Sequence, residues 1–262
     1  MSPQLADHDI RDRSPTAAPP HLPRRCALFL DFDGTLAPIA PRPQDVKVPE
    51  WVVPTLGRLQ SQLQGALAIV SGRPLATLDS LLRPLRLPAA GVHGVERRLA
   101  DRRVRVHAAV LPDAARRTAQ ALAAQHPGVL VEFKPGGLAV HYRAVPEAAA
   151  ACDAALVQAL AGVDGWELMH GHCVAEVKQR RVSKAAAVRA FLAEGVFAGR
   201  VPVFVGDDST DETGIAVARA LGGLGVKVGS GPSDAQHRLA DPEAVGRWLR
   251  ASLDEADHEA AR

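Results

Sequence analysis

"LFLDFDGTL" (residues 28–36) ends an apolar run in two carboxylates, Asp31 and Asp33, and follows them with Gly34 and Thr35. A continuous apolar segment that stops at a polar residue reads as a strand of a parallel sheet covered on both faces. Two like charges one residue apart at such a strand end repel each other unless they share a cation or divide acid and base work between them. The stretch therefore predicts the first strand of an α/β sheet with a chemical site at its carboxyl end, where open α/β sheets bind ligands.

Outward from this stretch the same grammar continues. "ALAIVS" (66–71) is a second buried strand, and "PEWVVPTLGRLQSQL" before it spaces Val52, Leu56, Leu59 and Leu63 along one helical face. "PLATLDSLLRPL" as a helix and "LPAAGVHG" as a short strand complete a βαβαβ unit by residue 94. The pattern returns late as "SKAAAVRAFLAE" (helix), "VPVFVGDD" (strand), "STDETGIAVARAL" (helix), "GLGVKVG" (strand) and a last helix through "PEAVGRWLRASL". Residues 25–100 and 180–262 are thus expected to form one doubly wound, mostly parallel sheet. The middle differs: "GVLVEFKPGGLAVHYRA" reads as a hairpin around Pro135, Gly136 and Gly137, "GWELMH" with "HCVAEVK" as another strand pair, and helices are expected near 112–126 and 146–161. That αββαββ block, residues 101–179, is expected to be an inserted α+β cap domain. Residues 1–24, where charge alternates with proline, are expected to be a disordered tail.

Composition narrows the functional classes. With 31 basic and 29 acidic residues the net charge is only +2, and no basic tract interleaved with aromatics exists, so no nucleic-acid partner is expected. No apolar run approaches the ~20 residues that span a bilayer, and the N-terminus builds no signal-peptide core, so a cytoplasmic protein without a membrane partner is expected. The three cysteines are widely spaced with no CxxC pair, which argues against a disulfide framework and against zinc. A monomer is expected.

Three further motifs fall at predicted strand or helix ends. Ser71 and Gly72 close the second strand and can donate hydrogen bonds to a phosphate oxygen, although "SGRP" also reads as a cap for the following helix. Lys184 stands near a helix start, where the helix dipole disfavours a cation. "VFVGDDSTDE" (203–212) crowds Asp207, Asp208 and Asp211 into one turn; such hard oxygen donors suit Mg²⁺, while capping by Asp208 or Ser209 accounts for only part of the cluster.

Together the four motifs resemble the haloacid dehalogenase-like superfamily of aspartyl-phosphate phosphohydrolases, from the first strand to the last. The resemblance implies a Rossmann-like phosphohydrolase core in which Asp31 is the nucleophile, Asp33 the acid/base, and Ser71, Gly72 and Lys184 bind phosphate. Asp31, the main-chain carbonyl of Asp33, and Asp207 would ligate Mg²⁺, with Thr35, Asp208 and Asp211 in support. The charges agree with this set, because a carboxylate approaching a phosphate meets about 4 kcal/mol of repulsion per charge pair at ~4 Å and an effective dielectric near ~20.

"GDDSTDE", "AGVHGVERR" (90–98), "VEFKPGGLAVHYR" (131–143) and "AEVKQRRVSKAAAV" (175–188) further resemble the trehalose-6-phosphate phosphatases. That likeness implies a sugar phosphate as substrate, with Glu132, Lys134 and Glu176 meeting sugar hydroxyls and His93, Gly94 and Glu96 near the same pocket. The chain departs from the family pattern at Ala185, in "VKQRRVS", and in "DETGIAV". Other readings stay open: a phosphatase for sucrose phosphate, a hexose phosphate or glucosylglycerate phosphate, a phosphomutase, or a non-catalytic sugar-phosphate sensor.

Overall fold

The computed structural model describes residues 17–260 apart from Ala108 and His172. The first strand forms as expected, β1 (Cys26–Leu30), with all five residues buried. It is followed by α1 (Val52–Gln62), β2 (Leu67–Val70), α2 (Leu75–Leu81) and β3 (Ala89–Gly91), and then by β4 (Glu96–Arg98) and β5 (Val104–Val106). The middle of the chain runs α3 (Asp113–Gln125), β6 (Leu130–Lys134), β7 (Gly137–His141), α4 (Ala149–Ala159), β8 (Trp166–Gly171) and β9 (Val174–Gln179). The chain returns through α5 (Lys184–Leu192), β10 (Val201–Gly206), α6 (Asp211–Ala220), β11 (Leu224–Val228), β12 (His237–Leu239) and α7 (Pro242–Ala260).

Eight strands form one sheet in the order β12-β11-β10-β1-β2-β3-β4-β5. All pairings from β12 to β3 are parallel, and the last two are antiparallel. β1 lies in the middle, with Leu28 opposite Val203 of β10 on one side and Leu67 of β2 on the other. The chain leaves β1 toward β2 and comes back beside it as β10, so the order reverses there and a crevice opens at the carboxyl ends of these strands. Phe29 on β1, Phe191 on α5 and Phe197 pack with ring centroids 5.1 to 6.1 Å apart and fix α5 against that part of the sheet.

The four remaining strands make an antiparallel sheet, β6-β7-β9-β8. Its own core joins Ala119 and Leu122 of α3 and Leu156 of α4 to Leu138, Trp166 and Val177 of the strands. Glu132, Ala139 and Glu176 stand opposite one another across three strands, so two acids share a face with a small residue between them.

Two differences from the sequence reading have physical causes. The antiparallel pair β4 and β5 was hidden, because β4 buries Arg97 and Arg98, which binary patterning assigns to solvent. Their charges are met by Glu194 at 2.7 Å from Arg97 and Asp79 at 2.7 Å from Arg98, with the Arg97 guanidinium 5.3 Å from the Phe191 ring centroid. β5 lies past residue 101, where the cap is expected to begin, yet it pairs onto the edge of the large sheet. The short strand β12 was also unanticipated.

The expected tail is the second difference. Residues 1–16 lie outside the described residues, but residues 17–24 pack on the body. Ala17 bridges to His237, Leu22 is buried, its N–H donates to Ser252 Oγ at 3.1 Å, and Trp248 Nε1 donates to the Pro20 carbonyl at 2.8 Å. Pro19 and Pro20 restrict this segment before it docks, so one buried leucine and two hydrogen bonds suffice to hold it. Among the described residues no helix is long and apolar enough to cross a membrane.

Leu22→Ala is accordingly expected to destabilise the protein by about 2–3 kcal/mol, seen as a lower urea midpoint at unchanged slope. A midpoint equal to that of the parent protein would remove the segment from the folded body.

Candidate active site

Lys184 is the first residue of α5, whose N-cap is Ser183; the Ser183 hydroxyl accepts from Ala186 N–H. Its side chain is buried, and Nζ donates to Asp31 Oδ1 at 2.8 Å and to Asp211 Oδ1 at 2.6 Å. The ammonium therefore ties the end of β1 to the start of α6. Burial works against its charge, but Asp31, Asp211 and Asp208 outweigh burial and raise its pKa. Asp31 is pushed up to about 7, chiefly by burial, with Lys184 acting in the opposite direction.

Carboxylate oxygens of Asp31, Asp207 and Asp211 lie within 4.8 Å of one another. Asp211 is already engaged: Oδ1 accepts from Lys184 and Oδ2 from the main-chain N–H groups of Asp207 and Asp208 at 3.2 and 3.1 Å. Asp208 caps the same turn, its Oδ1 accepting from Thr210 N, Thr210 Oγ1 and Asp211 N. The capping alternative thus holds for Asp208, and the carboxylates still open to a cation are Asp31 and Asp207. Asp207 is raised to about 6 by burial and by its acidic neighbours. It also needs Gly34: a Cβ there would stand 2.1 Å from Asp207 Oδ2, and the glycine adopts φ +77°. Thr35 Oγ1 reaches Asp207 Oδ1 at 3.5 Å, the limit of a hydrogen bond. All these donors are oxygens and the negative charge exceeds the positive, so the residues fit a hard divalent cation.

Ser71 is buried at the end of β2, and its hydroxyl accepts from Arg73 N–H at 3.2 Å, a local turn before the helix; the expected cap from "SGRP" does not form, since α2 has Pro74 at its N-cap with no side-chain cap bond. Asp33 does not reach Lys184; both its oxygens accept from Arg73, at 2.7 and 2.6 Å. After β3 the backbone takes three left-handed residues in succession, Val92 (φ 48°), His93 (φ 56°) and Gly94 (φ 114°). For the β-branched Val92 that conformation costs about 1–3 kcal/mol. It is held by Val92 N–H to Arg73 O and His93 N–H to Ser71 O, and it lays the His93 ring against Gly72, where a Cβ would come within 2.9 Å of it. Burial and the neighbouring Lys184 lower the His93 pKa to about 4.

The cleft between the two sheets has a volume of about 660 Å³ and is lined by Asp31, Asp33, Ser71, Gly72, His93, Lys184, Asp207 and Asp208 from one side and by Glu132, Lys134 and His141 from the other. Lys134 Nζ donates to Glu176 Oε1 at 2.8 Å, and burial notwithstanding, Lys134 holds the Glu176 carboxyl below its usual range. His141 Nε2 lies 3.2 Å from Glu132 Oε2. Glu176 itself borders a small recess beside the cleft with His93 and Lys134.

Two more of the residues expected near the sugar are not brought into the cleft. Glu96 accepts from Leu75 N–H at 2.9 Å, which makes it a cap for α2, and it lines a different cavity with Arg86 and Arg98. Gly94 is a packing position: a Cβ would come 3.2 Å from the Ser183 carbonyl. Three residues were missed. Arg73 and His141 stood inside quoted motifs, but nothing in their spacing marked their targets. Lys227, buried at β11, donates from Nζ to the Asp207 carbonyl and faces Glu212 at 3.7 Å; an apolar run that accommodates a lysine, "GVKVG", was its only signal.

Comparison with known proteins bears on the family and the fold. The sequence profile of a family described as trehalose-phosphatase matches residues 29–243. A trehalose-6-phosphate phosphatase of Escherichia coli strain K12 is 43% identical over 242 residues, covering 90% of this chain and 89% of that protein. The C-terminal domain of the C. albicans trehalose-6-phosphate phosphatase superposes with a TM-score of 0.76 at 23% identity, over 88% of this chain and 93% of that one. A phosphatase of the haloalkanoate (HAD) superfamily from Bacteroides thetaiotaomicron superposes with a TM-score of 0.60 at 17% identity, over 88% of this chain and 97% of that one. At those identities the two structures speak for the fold, a Rossmann-like core that carries a cap.

The titrations set a direction for stability. Between the unfolded value near ~4 and the folded values, the native state keeps protons on Asp31, Asp207 and Asp211 that the unfolded chain has released, so these groups make stability fall as pH rises. His93 acts the other way, because its lowered pKa makes the unfolded chain take up a proton first on acidification. Three carboxyls outweigh one imidazole, and the chelator-treated protein is expected to melt at a higher temperature near about pH 5.5 than near about pH 8. A higher melting temperature at the alkaline end would contradict the burial of these carboxyls.

Proposed function

The chain belongs to the trehalose-phosphatase family, and on that premise we propose that it hydrolyses trehalose 6-phosphate to trehalose and inorganic phosphate through an acyl-phosphate on Asp31. The observation that carries the proposal is the cleft itself, where a buried carboxylate and ammonium at the strand ends face polar and charged side chains of the small sheet. In the first step a carboxylate oxygen of Asp31 attacks phosphorus, the bond from phosphorus to the sugar oxygen breaks, and Asp33 gives that oxygen a proton. In the second, water attacks the phosphorus of the acyl-phosphate, Asp33 accepts a proton from the water, and phosphate leaves Asp31.

Asp31 and Asp207, with the main-chain carbonyl of Asp33, are the residues that would hold Mg²⁺, which when bound supplies positive charge against the phosphoryl oxygens and keeps Asp31 ionised. Lys184 brings a second positive charge to the same group, and the Ser71 hydroxyl with the Gly72 main chain offers neutral donors. Asp211 and Asp208 hold the turn that presents Asp207. Glu132, Lys134, His141 and Glu176 supply donors and acceptors for sugar hydroxyls, which the phosphoryl-binding residues have no means to recognise. Free thiols at Cys26, Cys152 and Cys173 suit a reducing cytoplasm, and a monomer is part of the same reading.

Phosphate release from trehalose 6-phosphate is expected with Mg²⁺, to disappear on chelation and to return when Mg²⁺ is restored. Asp31→Asn, which keeps the shape and removes the nucleophile, is expected to abolish turnover while leaving the fold intact, seen as an unchanged circular-dichroism spectrum. Full turnover in a metal-free preparation, or in Asp31→Asn, would rule out this chemistry.

Replacing Glu132 and Lys134 together with Gln tests the substrate separately. Turnover of trehalose 6-phosphate is expected to fall about 10²-fold or more, since each lost charged hydrogen bond is worth roughly 1.5–3 kcal/mol, while a small aryl phosphate reacts nearly as before. Equal losses on both would show that these residues serve the phosphoryl group or the fold instead of the sugar.

A further inference from the structure

Arg73 is held on every side. Its Nε and Nη2 donate to Asp33 Oδ2 and Oδ1 at 2.7 and 2.6 Å, and its Nη1 donates to the Pro43 carbonyl at 2.9 Å. The guanidinium lies 5.6 Å from the Phe32 ring centroid. Its main chain is fixed as well, the N–H to Ser71 Oγ and the carbonyl to Val92 N–H. The arginine side chain is 11% exposed and that of Asp33 36%; both line the cleft, and the carboxylate is the more open of the two. No other described side chain forms a hydrogen bond with Asp33, although Asp31 and Lys184 line the same cavity.

We infer that Arg73 is the positioning residue of Asp33, an inference that rests on the reading of Asp33 as the acid and base. Asp33 sits on a loop beyond β1, where a carboxylate free to rotate would spend most of its time out of line with the leaving oxygen. Two parallel N–H···O bonds fix the plane of the carboxylate as well as its distance. Each carboxylate oxygen retains a second lone pair, so Asp33 exchanges its proton with the sugar oxygen or with water while Arg73 keeps hold of it. Lysine, a point donor on a flexible stem, offers no such fork. The left-handed turn at Val92 gains a purpose here, because it fastens the main chain of Arg73 from the opposite side.

The test uses Arg73→Gln, Arg73→Lys, Asp33→Asn and the double variant Arg73→Gln/Asp33→Asn, each with trehalose 6-phosphate and with 4-nitrophenyl phosphate. The sugar leaves as an alcohol and needs a proton; 4-nitrophenolate leaves without one, so kcat/KM separates the acid's share from phosphoryl binding. Arg73→Gln is expected to lower kcat/KM about 10²-fold on the sugar phosphate and less than about 3-fold on the aryl phosphate. Arg73→Lys is expected to lose nearly as much, the double variant to be no worse than Asp33→Asn, and inhibition by inorganic phosphate to stay within about 2-fold of the parent. Losses that add in the double variant, recovery in Arg73→Lys, or equal losses on both substrates with weaker phosphate inhibition would overturn the inference and make Arg73 a phosphoryl ligand. If the parent protein releases no phosphate from trehalose 6-phosphate, it is the substrate reading that fails, and the same comparison with whichever alkyl phosphate it does hydrolyse still decides Arg73.

Discussion

The buried ammonium of Lys184 is the interaction on which the rest of the site depends. It joins Asp31 and Asp211, which stand 153 and 27 residues away in sequence, and so locks together β1, α5 and α6 at the point where the sheet order reverses. A lysine at the first position of a helix and out of water is doubly disfavoured, by the dipole and by desolvation. Two carboxylates reverse both penalties. They in turn are tolerable in the interior only because the lysine is there, so neither charge can be removed without leaving the other unpaired. Asp211 passes the constraint on, because its second oxygen collects the main-chain N–H groups of Asp207 and Asp208 and thereby shapes the acidic turn.

Such a centre was legible in the sequence to the extent that it is local. Asp31, Ser71, Lys184 and Asp207 each stand at or just beyond the end of an apolar or amphipathic segment, and period alone locates those ends. The central parallel strands and most of the helices follow from the same reasoning. What escaped is what long-range pairing decides. β4 carries two arginines into the interior because Glu194 and Asp79, far off in sequence, await them. Glu96 looked like a pocket residue but caps α2, and residues 17–24 looked like a polar tail yet meet Trp248 and Ser252. The partner of Arg73 is 40 residues upstream, and no periodicity connects them.

The two walls of the cleft solve their electrostatics separately. On the large-sheet side, the acids around Lys184 exceed it in charge, and the raised pKa values of Asp31 and Asp207 record their burial first and their acidic neighbours second. On the small-sheet side, Lys134 stands between Glu176 at 2.8 Å and Glu132 at 3.8 Å, with His141 behind Glu132. A wall with one ammonium between two carboxylates has no positive charge to spare for an anion, but it keeps lone pairs and N–H groups that water hydrates when no ligand is bound. A hydroxyl-rich ligand can replace that water bond for bond, whereas an apolar ligand would strand the charges.

His93 lies where the two walls meet. It is within electrostatic reach of Lys184 from one and of Glu176 and Lys134 from the other, and burial with Lys184 keeps its imidazole neutral near pH 7. A cation at this place would compete with Lys184 for Asp31 and disturb the pairing of Lys134; a neutral ring fills the same space without doing either. Its Nδ1 is buried with no hydrogen-bond partner among the described residues. The strain at Val92 and His93 then has a reason. Only a backbone turned to positive φ carries the ring against Gly72 from a strand that otherwise runs past the site, and the hydrogen bonds to Ser71 and Arg73 that hold the turn also fix the loop beside Asp33.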